Sequence, residues 1–335
     1  MTSPSFAALG FAHNHQRGMT TGLLQAGLPC RWVWDADPAR AQELQAAVPG
    51  ARIARSVAEV LDDDSVRLVT GAVPPAERAH LGLRVLAAGK DYLSAKPGLI
   101  TTEELAEVRA AVQATGRRYL VFFSERFQSP LTARAEVLVR QGAIGTVHHV
   151  LGLGPHRIGG PRPSWFWDRA VNGGIINDLG SHQFDQILAF TGSTTGRVTA
   201  ASVQERQESH SGRPFQHLGE AHVAVSSGAS GSFRVDWHSP TGLPTWGDSR
   251  TFLTGSAGSI EIRRTIDPGQ GEGVLILVDQ QGVIREGEAG LPPHPFFHQL
   301  VQDVIQGTTL AQDQAQVLTV MALGLAAQVL AEAVP

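Results

Sequence analysis

Residues 66–97 read VRLVTGAVPPAERAHLGLRVLAAGKDYLSAKP and contain a complete strand–helix–strand unit. Residues 66–73 form an apolar run of the length of a buried strand, and residues 76–88 have the spacing of a helix that Gly89 ends. Residues 92–94 form the next short apolar run. Two strands joined through a helix lie parallel in one sheet, because antiparallel neighbours need only a short turn. This stretch therefore predicts a parallel sheet.

The same alternation extends over the first 123 residues. Capping signals mark three helix starts between the strands, namely Asp37 before Pro38 and the pairs Ser56/Glu59 and Thr101/Glu104. Strands that alternate with helices through short loops form a doubly wound parallel sheet covered on both faces. We therefore predict a Rossmann-type α/β domain at residues 1–123. Its further strands are predicted at 6–9, 31–34, 51–54 and 118–123.

The pattern changes after residue 123. Helices are predicted at 130–141 and 174–190, with a Gly/Pro/Trp-rich loop at 152–174. Strands then follow one another, separated by turn signals rather than helices, which predicts an open, mostly antiparallel sheet. We assign residues 124–310 to this second, α+β domain. The predicted strands are 198–206, 217–226, 231–237, 250–254, 258–263 and 274–279, and helices at 295–306 and 311–333 end the chain.

The composition excludes several classes of protein. The chain has 335 residues, of which 42% are hydrophobic and 17% charged, and its formal net charge is −4. These values are typical of a two-domain globular protein and do not favour a nucleic-acid or acidic-membrane partner. The only cysteine, Cys30, lies among apolar residues, which indicates a core thiol and excludes an internal disulfide.

Neither a membrane span nor a signal peptide is expected. We find no segment that approaches about 18 apolar residues, the length that crosses a membrane. The apolar run at residues 6–12 is too short for a signal peptide and fits the first strand better. We therefore expect a cytoplasmic protein with no membrane partner.

The turn after the first predicted strand has features of a dinucleotide site. Small residues at Gly10 and Ala12 allow the backbone to approach a pyrophosphate at the helix N-terminus, while His15 fills a third position that is usually small. Asp35 ends the second strand, where a carboxylate accepts hydrogen bonds from the adenosine ribose and repels the 2′-phosphate of NADP. NAD is therefore expected rather than NADP, and a plain strand–helix turn is the alternative. The predicted cofactor turn comprises Gly10, Phe11, Ala12, His13, Asn14 and His15.

Two further positions carry groups suited to acid–base chemistry. Lys96 precedes Pro97 at the end of the fifth strand, where ligands of open α/β sheets bind and where a lysine can polarise a substrate oxygen. Asp178 and His182 are four residues apart on a predicted helix and so share a face. An aspartate can orient a histidine and stabilise its protonated form. The alternatives are a surface lysine and an ordinary contact on a helix surface.

Together these segments resemble the Gfo/Idh/MocA oxidoreductase family over nearly the whole chain. Residues 86–97, LAAGKDYLSAKP, are similar to the family segment ALEAGKHVLCEKP. Residues 172–182 are similar to GGG-x-x-x-D-x-G-x-H, with Asn172 in place of the first glycine. The preceding WFWD at 165–168 and the terminal helices from Phe296 also fit this family.

The resemblance implies a catalytic group of three residues. His182 would exchange a proton with a substrate hydroxyl, Lys96 would hydrogen-bond the same oxygen, and Asp178 would position the pair. Lys96 and His182 are accordingly expected to face one cleft. Pro74, Lys96 and Pro97 complete the implied cofactor set.

The resemblance also implies an assembly. The second domain of the family packs its open sheet into dimers or tetramers, so a homo-oligomer is expected. The terminal helix at 311–333 is expected to pack back on the Rossmann domain.

The chain departs from the family pattern at several positions. Ala12 and His15 stand where glycines or other small residues are common, and Ala95 replaces the glutamate that usually precedes the lysine. Pro75 and Arg78 stand where an asparagine and a histidine are usual. NAD(H) is still expected to bind, because Asp35 and the Lys96–Pro97 turn are retained.

Candidate substrate residues surround the implied catalytic helix. Arginines of the preceding loop could hold a carboxylate or hydroxyls, and its tryptophans could stack on a sugar ring. The alternative is a loop that packs its tryptophans and solvates its arginines, and for Arg126 a surface or inter-domain ion pair. The candidates are Arg126, His156, Arg157, Arg162, Trp165, Trp167 and Asn177.

Two histidine pairs have the spacing of metal ligands. His13 with His15, and His294 with His298, have no acidic or thiol companion nearby in the sequence, and a structural zinc site normally needs four ligands. We therefore predict no metal site, and we assign His13 and His15 to the cofactor turn.

The sequence as a whole predicts an NAD(H)-dependent dehydrogenase or reductase. Its substrate is expected to be a sugar, a polyol or a related hydroxy or keto compound. Two alternatives remain, a glycosidase that uses NAD as a recycled redox catalyst and a non-catalytic nucleotide-sensing module. Retention of Lys96, Asp178 and His182 argues against the module, which the degenerate turn favours slightly.

Overall fold

A computed structural model describes residues 3–207, 212, 214–265 and 272–333. The chain divides into two compact units. The first unit runs to Ser124 and includes Pro295–Leu318. The second unit comprises Glu125–His294 and the chain from Thr319 onwards.

The first unit is built on a six-stranded parallel sheet. Its strand order is β3-β2-β1-β4-β5-β6. The chain runs from β1 outwards to β3 and then returns to place β4 on the other side of β1. All residues of β1 and β5 are buried, which requires cover on both faces of the sheet. The predicted α/β fold class is confirmed. The strands are β1 Ser5–Leu9, β2 Cys30–Trp34, β3 Arg52–Ile53, β4 Val66–Gly71, β5 Asp91–Ala95 and β6 Tyr119–Phe122, and the helices are α1 His15–Gln25, α2 Pro38–Ala46, α3 Val57–Leu61, α4 Pro75–Ala87 and α5 Thr102–Thr115.

Helix starts in this unit follow the predicted capping signals. The Asp37 carboxylate accepts a hydrogen bond from the backbone N–H of Ala39 at 2.9 Å. Thr101 and Glu104 form a reciprocal capping box that opens α5. The thiol of Cys30 is buried, and this burial raises its pKa to about 12, so the interpretation of a core thiol is confirmed.

The second unit contains an eight-stranded mixed sheet of order β14-β13-β12-β11-β7-β10-β9-β8. Among the strands that the structure describes in this sheet, β7 and β10 pair in parallel and the other neighbours are antiparallel. This confirms the predicted α+β domain with a mostly antiparallel sheet. The strands are β7 Val147–Pro155, β8 Gly196–Gln207, β9 Pro214–Val225, β10 Ser230–Asp236, β11 Arg250–Gly255, β12 Gly258–Arg263, β13 Val274–Asp279 and β14 Val283–Gly287.

Strand β7 corrects the predicted loop at 152–174. Residues 152–155 belong to this strand, which lies between β10 and β11. Gly152 and Gly154 suggested a loop, but they make room for the side chain of Gln183. A Cβ at Gly152 would lie 2.0 Å from Oε1 of Gln183. These glycines therefore permit close packing of a helix on a central strand.

Helices of the second unit bring the motif residues onto its sheet. The predicted helix at 174–190 is wrong as a single element, because it is interrupted at Leu179. In the helix after the interruption, residues 180–191, ten residues are buried. A Cβ at Gly180 would lie 2.8 Å from the Phe233 ring, so this second helix packs closely on β10. The helices are α6 Ser124–Phe127, α7 Pro130–Arg140, α8 Arg169–Asn172, α9 Ile175–Asp178 and α10 Gly180–Thr191.

The unit boundaries differ from the predicted domains near the C-terminus. Helix α11, Phe296–Gln306, was assigned to residues 124–310 but belongs to the first unit. Its Phe296 and Phe297 pack on Phe122, with ring centroids 6.1 and 5.5 Å away. A Cβ at Gly22 would lie 2.2 Å from the Phe297 ring, so this glycine allows the contact.

Helix α12, Gln314–Glu332, contributes to both units. Gln314 exchanges two side-chain hydrogen bonds with the backbone of Tyr119, at 2.8 and 2.9 Å, whereas residues from Thr319 belong to the second unit. By length and composition this helix is long and apolar enough to cross a membrane, and about half of it is buried inside the protein. The expectation that no segment reaches this length is therefore wrong, and a core helix passes the same test.

Candidate active site

The turn between β1 and α1 is held by Asp35. Its Oδ2 accepts a hydrogen bond from the backbone N–H of Phe11 at 2.5 Å, and its Oδ1 accepts one from the N–H of Asp37 at 2.8 Å. Gly10 has φ +77°, and a Cβ there would lie 2.5 Å from Cγ1 of Val73. Gly10 is thus required both by its backbone conformation and by the close approach of the chain after β4.

The two histidines of this turn pack on each other. Their ring centroids are 4.2 Å apart, and Nδ1 of His13 accepts a hydrogen bond from the backbone N–H of His15 at 3.2 Å. Nε2 of His15 lies 3.2 Å from the Ser124 hydroxyl, and its ring packs edge-on against Phe122. Asn14 precedes α1, whose first turn carries no acidic side chain. The helix N-terminus therefore offers its positive end to an anion.

The Lys96–Pro97 turn is held by a buried arginine. Arg78 is fully buried, and its guanidinium donates hydrogen bonds to the carbonyl oxygens of Val73 at 2.8 Å, Lys96 at 2.5 Å and Pro97 at 3.0 Å. The peptide bond between Lys96 and Pro97 is cis. One side chain of α4 therefore joins the end of β4 to the end of β5.

Arg78 explains one departure from the family pattern. The sequence showed an arginine where a histidine is usual but did not reveal the backbone carbonyls to which it donates. Pro74 and Pro75 start α4, and the carbonyl oxygen of Pro74 accepts from the N–H of Glu77 at 2.9 Å. The Lys96 side chain is buried, with 4% of the residue exposed.

Asp178 and His182 lie on two successive helices of the second unit. The side-chain oxygen Oε1 of Gln328 accepts hydrogen bonds from the backbone N–H groups of Ile176 at 3.0 Å and Asn177 at 3.3 Å, which fixes the first turn of α9. Asp178 ends α9 and is half-buried, whereas His182 lies in the first turn of α10 and is 1% exposed. The four-residue spacing between them therefore crosses the break at Leu179.

An open cavity lies beside Asp178, with about 380 Å³ of empty space that includes open solvent. Four aromatic rings give it apolar walls, and amide and charged groups provide polar atoms at the same surface. The predicted residues Trp167 and Asp178 both line it. Its lining residues are Phe166, Trp167, Arg169, Asn172, Gly174, Ile175, Asp178, Glu205, Pro214, Phe215, Gln216 and Trp237.

The two arginines of the loop before α8 organise the loop itself. Nη2 of Arg157 donates to the carbonyl oxygens of Pro240 at 3.0 Å and Thr245 at 3.1 Å. The guanidinium of Arg162 lies over the rings of Phe166 and Trp246, at 4.5 and 4.8 Å. Desolvation lowers the pKa of Arg162, and the charge of Asp178 opposes this shift. Arg162 therefore brings a positive charge towards the aspartate from within an aromatic cluster.

The loop tryptophans occupy different places. The Trp165 ring lies 6.3 Å from that of Phe166 in an edge-on contact. Trp167 packs against both Phe166 and Phe215, each at 5.0 Å, within the wall of the cavity. Asn177 is buried, and a Cβ at Gly324 would lie 2.9 Å from its Oδ1.

Arg126 lies in a buried ion cluster. Its Nε donates to Glu136 at 2.6 Å and its Nη1 donates to Asp185 at 3.1 Å. Burial raises the pKa of Asp185 to about 6, and the charge of Arg126 opposes this rise while that of Glu136 adds to it. His294 lies 3.6 Å from Glu136 in the same cluster. The structure therefore surrounds Arg126 with acids of its own unit.

Glu125 was missed by the sequence analysis. This glutamate is 2% exposed, and Nε2 of His156 lies 3.5 Å from its Oε1. A single glutamate after the last strand of the first unit carried no motif by which it could be found. In the residues that the structure describes, no group of three or more histidine, cysteine or acidic side chains is placed to hold a metal ion.

Comparison with known families matches both halves of the chain. Residues 11–123 match the family described as an oxidoreductase family with an NAD-binding Rossmann fold. Residues 132–261 match the GFO/IDH/MocA C-terminal domain. The two matches occur in the order expected from the sequence motifs.

Curated relatives match part of the chain. An inositol 2-dehydrogenase of Pseudarthrobacter chlorophenolicus is 30% identical over 51% of this chain and 48% of its own length. A levoglucosan dehydrogenase of Pseudarthrobacter phenanthrenivorans is 26% identical over 61% of this chain and 51% of its own length. The chain thus spans about half the length of the curated relatives that it matches.

Solved structures match nearly the whole chain. A "putative oxidoreductase" from Erwinia carotovora atroseptica SCRI1043 is 38% identical, with a TM-score of 0.94, over 98% of this chain and 99% of that chain. A levoglucosan dehydrogenase in complex with NADH and levoglucosan has a TM-score of 0.82 at 17% identity, over 99% of this chain and 98% of that chain. The second likeness concerns the fold alone.

Proposed function

We propose that this chain, which belongs to the GFO/IDH/MocA family of NAD-binding oxidoreductases, is an NAD(H)-dependent dehydrogenase or reductase of a sugar, a polyol or a related compound. The observation that carries the proposal is the aromatic-walled cavity beside Asp178. It offers both apolar faces and hydrogen-bonding groups next to a residue of the implied catalytic group. Such a lining suits a ring that carries hydroxyl groups.

The first unit fits NAD. Asp35 lies at the end of β2 and is tied to the turn through the N–H of Phe11, so its negative charge stands where the adenosine ribose of a dinucleotide binds in this fold. Gly10 has no side chain to block the approach of a pyrophosphate to the backbone of the same turn, and α1 provides a helix N-terminus. A 2′-phosphate would be repelled by Asp35, which favours NAD over NADP. The nicotinamide, when bound, accepts or supplies the hydride.

The protein's own residues handle the substrate oxygen and its proton. We assign His182 to proton exchange with the hydroxyl, Lys96 to a hydrogen bond with the same oxygen, and Asp178 to orienting this pair. Arg78 supports the lysine through the backbone of the Lys96–Pro97 turn. The first turn of α10 supports His182.

The cavity supports the substrate class. The faces of Trp167 and Trp237 can cover the C–H face of a sugar ring, while the side-chain amide of Asn172 can bond a hydroxyl group. We also propose that the protein is cytoplasmic and that it forms a homo-oligomer, as in the family. The exposed apolar side chains of Val283 and Ile284 on the outermost strand β14, 69% and 48% exposed, support the assembly. Light scattering after size exclusion measures the assembly.

The test is an activity screen with matched variants. The nucleotide that co-purifies is identified first, and sugars and polyols are then screened by the absorbance of the reduced cofactor. Lys96→Ala and His182→Ala are expected to abolish turnover while circular dichroism shows an intact fold. His80→Ala, an exposed histidine of α4, should keep full activity.

Three outcomes contradict parts of the proposal. Full activity of Lys96→Ala or His182→Ala would remove the roles assigned to those residues. Sugar hydrolysis with no net change in cofactor absorbance would instead support an NAD-using glycosidase. Tight nucleotide binding without turnover on the whole panel would support a nucleotide-sensing module.

A further inference from the structure

A buried carboxylate lies against the helix that carries His182. Oε2 of Glu125 accepts hydrogen bonds from Nε2 of Gln183 at 2.9 Å and from the hydroxyl of Ser249 at 3.0 Å. Nε2 of Gln186 lies 3.5 Å from the same oxygen. Glu125 therefore joins α10 to the chain just before β11, across 58 and 124 residues of sequence.

This carboxylate is ionised. Burial alone would raise the pKa of Glu125, but the nearby charges of Arg264, His182 and His156 outweigh burial. The hydrogen bond from Ser249 adds to their effect, and the pKa falls to about 2. Glu125 therefore carries a negative charge throughout the neutral range.

The side chain of His156 also faces the Glu125 carboxylate. Its Nδ1 lies 3.0 Å from the carbonyl oxygen of Gly154, which can only accept, so Nδ1 carries a hydrogen. Its Nε2 lies 3.5 Å from Oε1 of Glu125, and an anion at that position favours a hydrogen on Nε2 as well. The side chain of His156 is thus turned towards Glu125 through its Nε2.

The same carboxylate holds the turn of α10 that bears His182. Gln183 follows His182 directly, and Nε2 of Gln186 also donates to the carbonyl of His182 at 3.3 Å. Gly152 leaves the space that the Gln183 side chain needs to reach Glu125. The two glutamines that follow His182 on α10, Gln183 and Gln186, therefore place their side-chain amides beside the buried carboxylate of Glu125.

We propose that Glu125 is a positioning residue that fixes the His182 turn of α10 and stabilises the protonated imidazole of His182 during proton exchange. The inference rests on the proposed function, which assigns proton exchange to His182. In alcohol oxidation the histidine gains a proton, and a nearby fixed anion makes it a stronger base. Without Glu125 the imidazole would have a lower proton affinity.

Charged or titratable groups of three other segments surround Glu125 and His182. Arg264, which follows β12, and His156, which follows β7, face Glu125. Asp178 ends α9, four residues before His182. Arg126, the residue after Glu125 on α6, forms ion pairs with Asp185 and Glu136 instead. A change of charge at Glu125 is therefore expected to act on both histidines.

The test is the titration of His182 in nucleotide-free full-length protein. Glu125→Gln keeps the size and both hydrogen bonds of Oε2 while it removes the charge. NMR of uniformly labelled protein, with the His182 resonance assigned by its loss in His182→Ala, gives the pKa directly. We expect Glu125→Gln to lower the pKa of His182 by about one unit, a tenfold loss of proton affinity. An unchanged pKa overturns the inference.

Two further variants separate charge from stability. Glu136→Gln removes another buried carboxylate of the same unit, which bonds Arg126 rather than the partners of Glu125, and should leave the titration of His182 unchanged. Glu125→Asp keeps the charge but withdraws it by one methylene, so a smaller fall is expected. If Glu125→Gln does not fold, an unchanged pKa in Glu125→Asp overturns the inference in its place.

Activity then distinguishes this inference from the proposed function. In the pH profile of kcat for oxidation, Glu125→Gln should move the acidic limb to lower pH by the same amount, whereas a purely structural role would lower kcat equally at every pH. A shifted titration with full activity of His182→Ala would leave the electrostatic coupling standing and remove the catalytic role of His182. An unshifted titration with an inactive His182→Ala would do the reverse.

Discussion

Replacing Arg78 by methionine should destabilise the first unit strongly. The guanidinium is fully buried and donates to four carbonyl oxygens, those of Val73, Ala95, Lys96 and Pro97. The oxygen of Ala95 also accepts from the Ser94 hydroxyl. Methionine has a similar length and can fill much of the space, but it cannot donate. The change therefore removes this donor from all four acceptors, and Ala95 keeps its bond from Ser94, so the cost falls on the other three.

The size of the effect follows from those three bonds. A buried acceptor that loses its partner costs about 1–3 kcal/mol, so three cost roughly 3–9 kcal/mol. The loss is offset in part, because the variant no longer has to bury a charge. We therefore expect the free energy of unfolding to fall by about 3–5 kcal/mol out of the roughly 5–15 kcal/mol of a typical domain. The corresponding fall in Tm is about 6–20 °C.

Urea denaturation followed by circular dichroism measures this change. Arg84→Met is the matched control, because Arg84 lies on the same helix α4 but is exposed, and it should stay within about 0.5 kcal/mol of the parent protein. Arg78→Lys keeps the charge with fewer donors and should fall between the two. If Arg78→Met is as stable as Arg84→Met, the argument that this arginine holds the lysine turn is refuted.

Three other changes test separate parts of the structure. Asp35→Ser should lower the preference for NADH over NADPH at least tenfold in fluorescence titrations, and an unchanged preference would contradict the role of its charge. Gly10→Ala should cost about 2 kcal/mol or more in urea denaturation, because its φ is +77° and the new Cβ would meet Val73; a neutral result would exclude this strain. Asp185→Asn removes an acid whose burial raises its pKa to about 6. A raised acid pKa favours the folded state below about pH 4 and loses that contribution as pH rises through 6, so the variant should gain stability relative to the parent between about pH 4 and 6 and keep that gain at higher pH; a pH-independent difference in denaturation would contradict the shift.

Much of the first unit was accessible from the sequence. Asp37 caps α2, and Thr101 with Glu104 opens α5 in the capping box that was predicted. Asp35 stands at the end of β2, as its position after an apolar run indicated. Each of these features depends on residues close to one another in the chain, so a short window of sequence contains the information that determines it.

The second unit was less accessible. Strand β7 was assigned in part to a loop, because Gly152 and Gly154 weaken a strand pattern unless a distant side chain needs their space. The helix at 174–190 was expected to be continuous, but it is interrupted at Leu179 between Asp178 and His182. For β7 the deciding neighbour, Gln183, lies on another element.

Local pattern alone thus determined the order of strands and helices in the first unit, its caps and the identity of the motif residues, because these depend on spacing along the chain. The partners of the buried charges were decided only by the tertiary structure. Arg78 binds carbonyls up to 19 residues away, and Glu125 meets Gln183 and Ser249 at separations of 58 and 124 residues. A buried charge is stable only where folding has brought donors or acceptors around it, and no window of sequence shows which ones arrive.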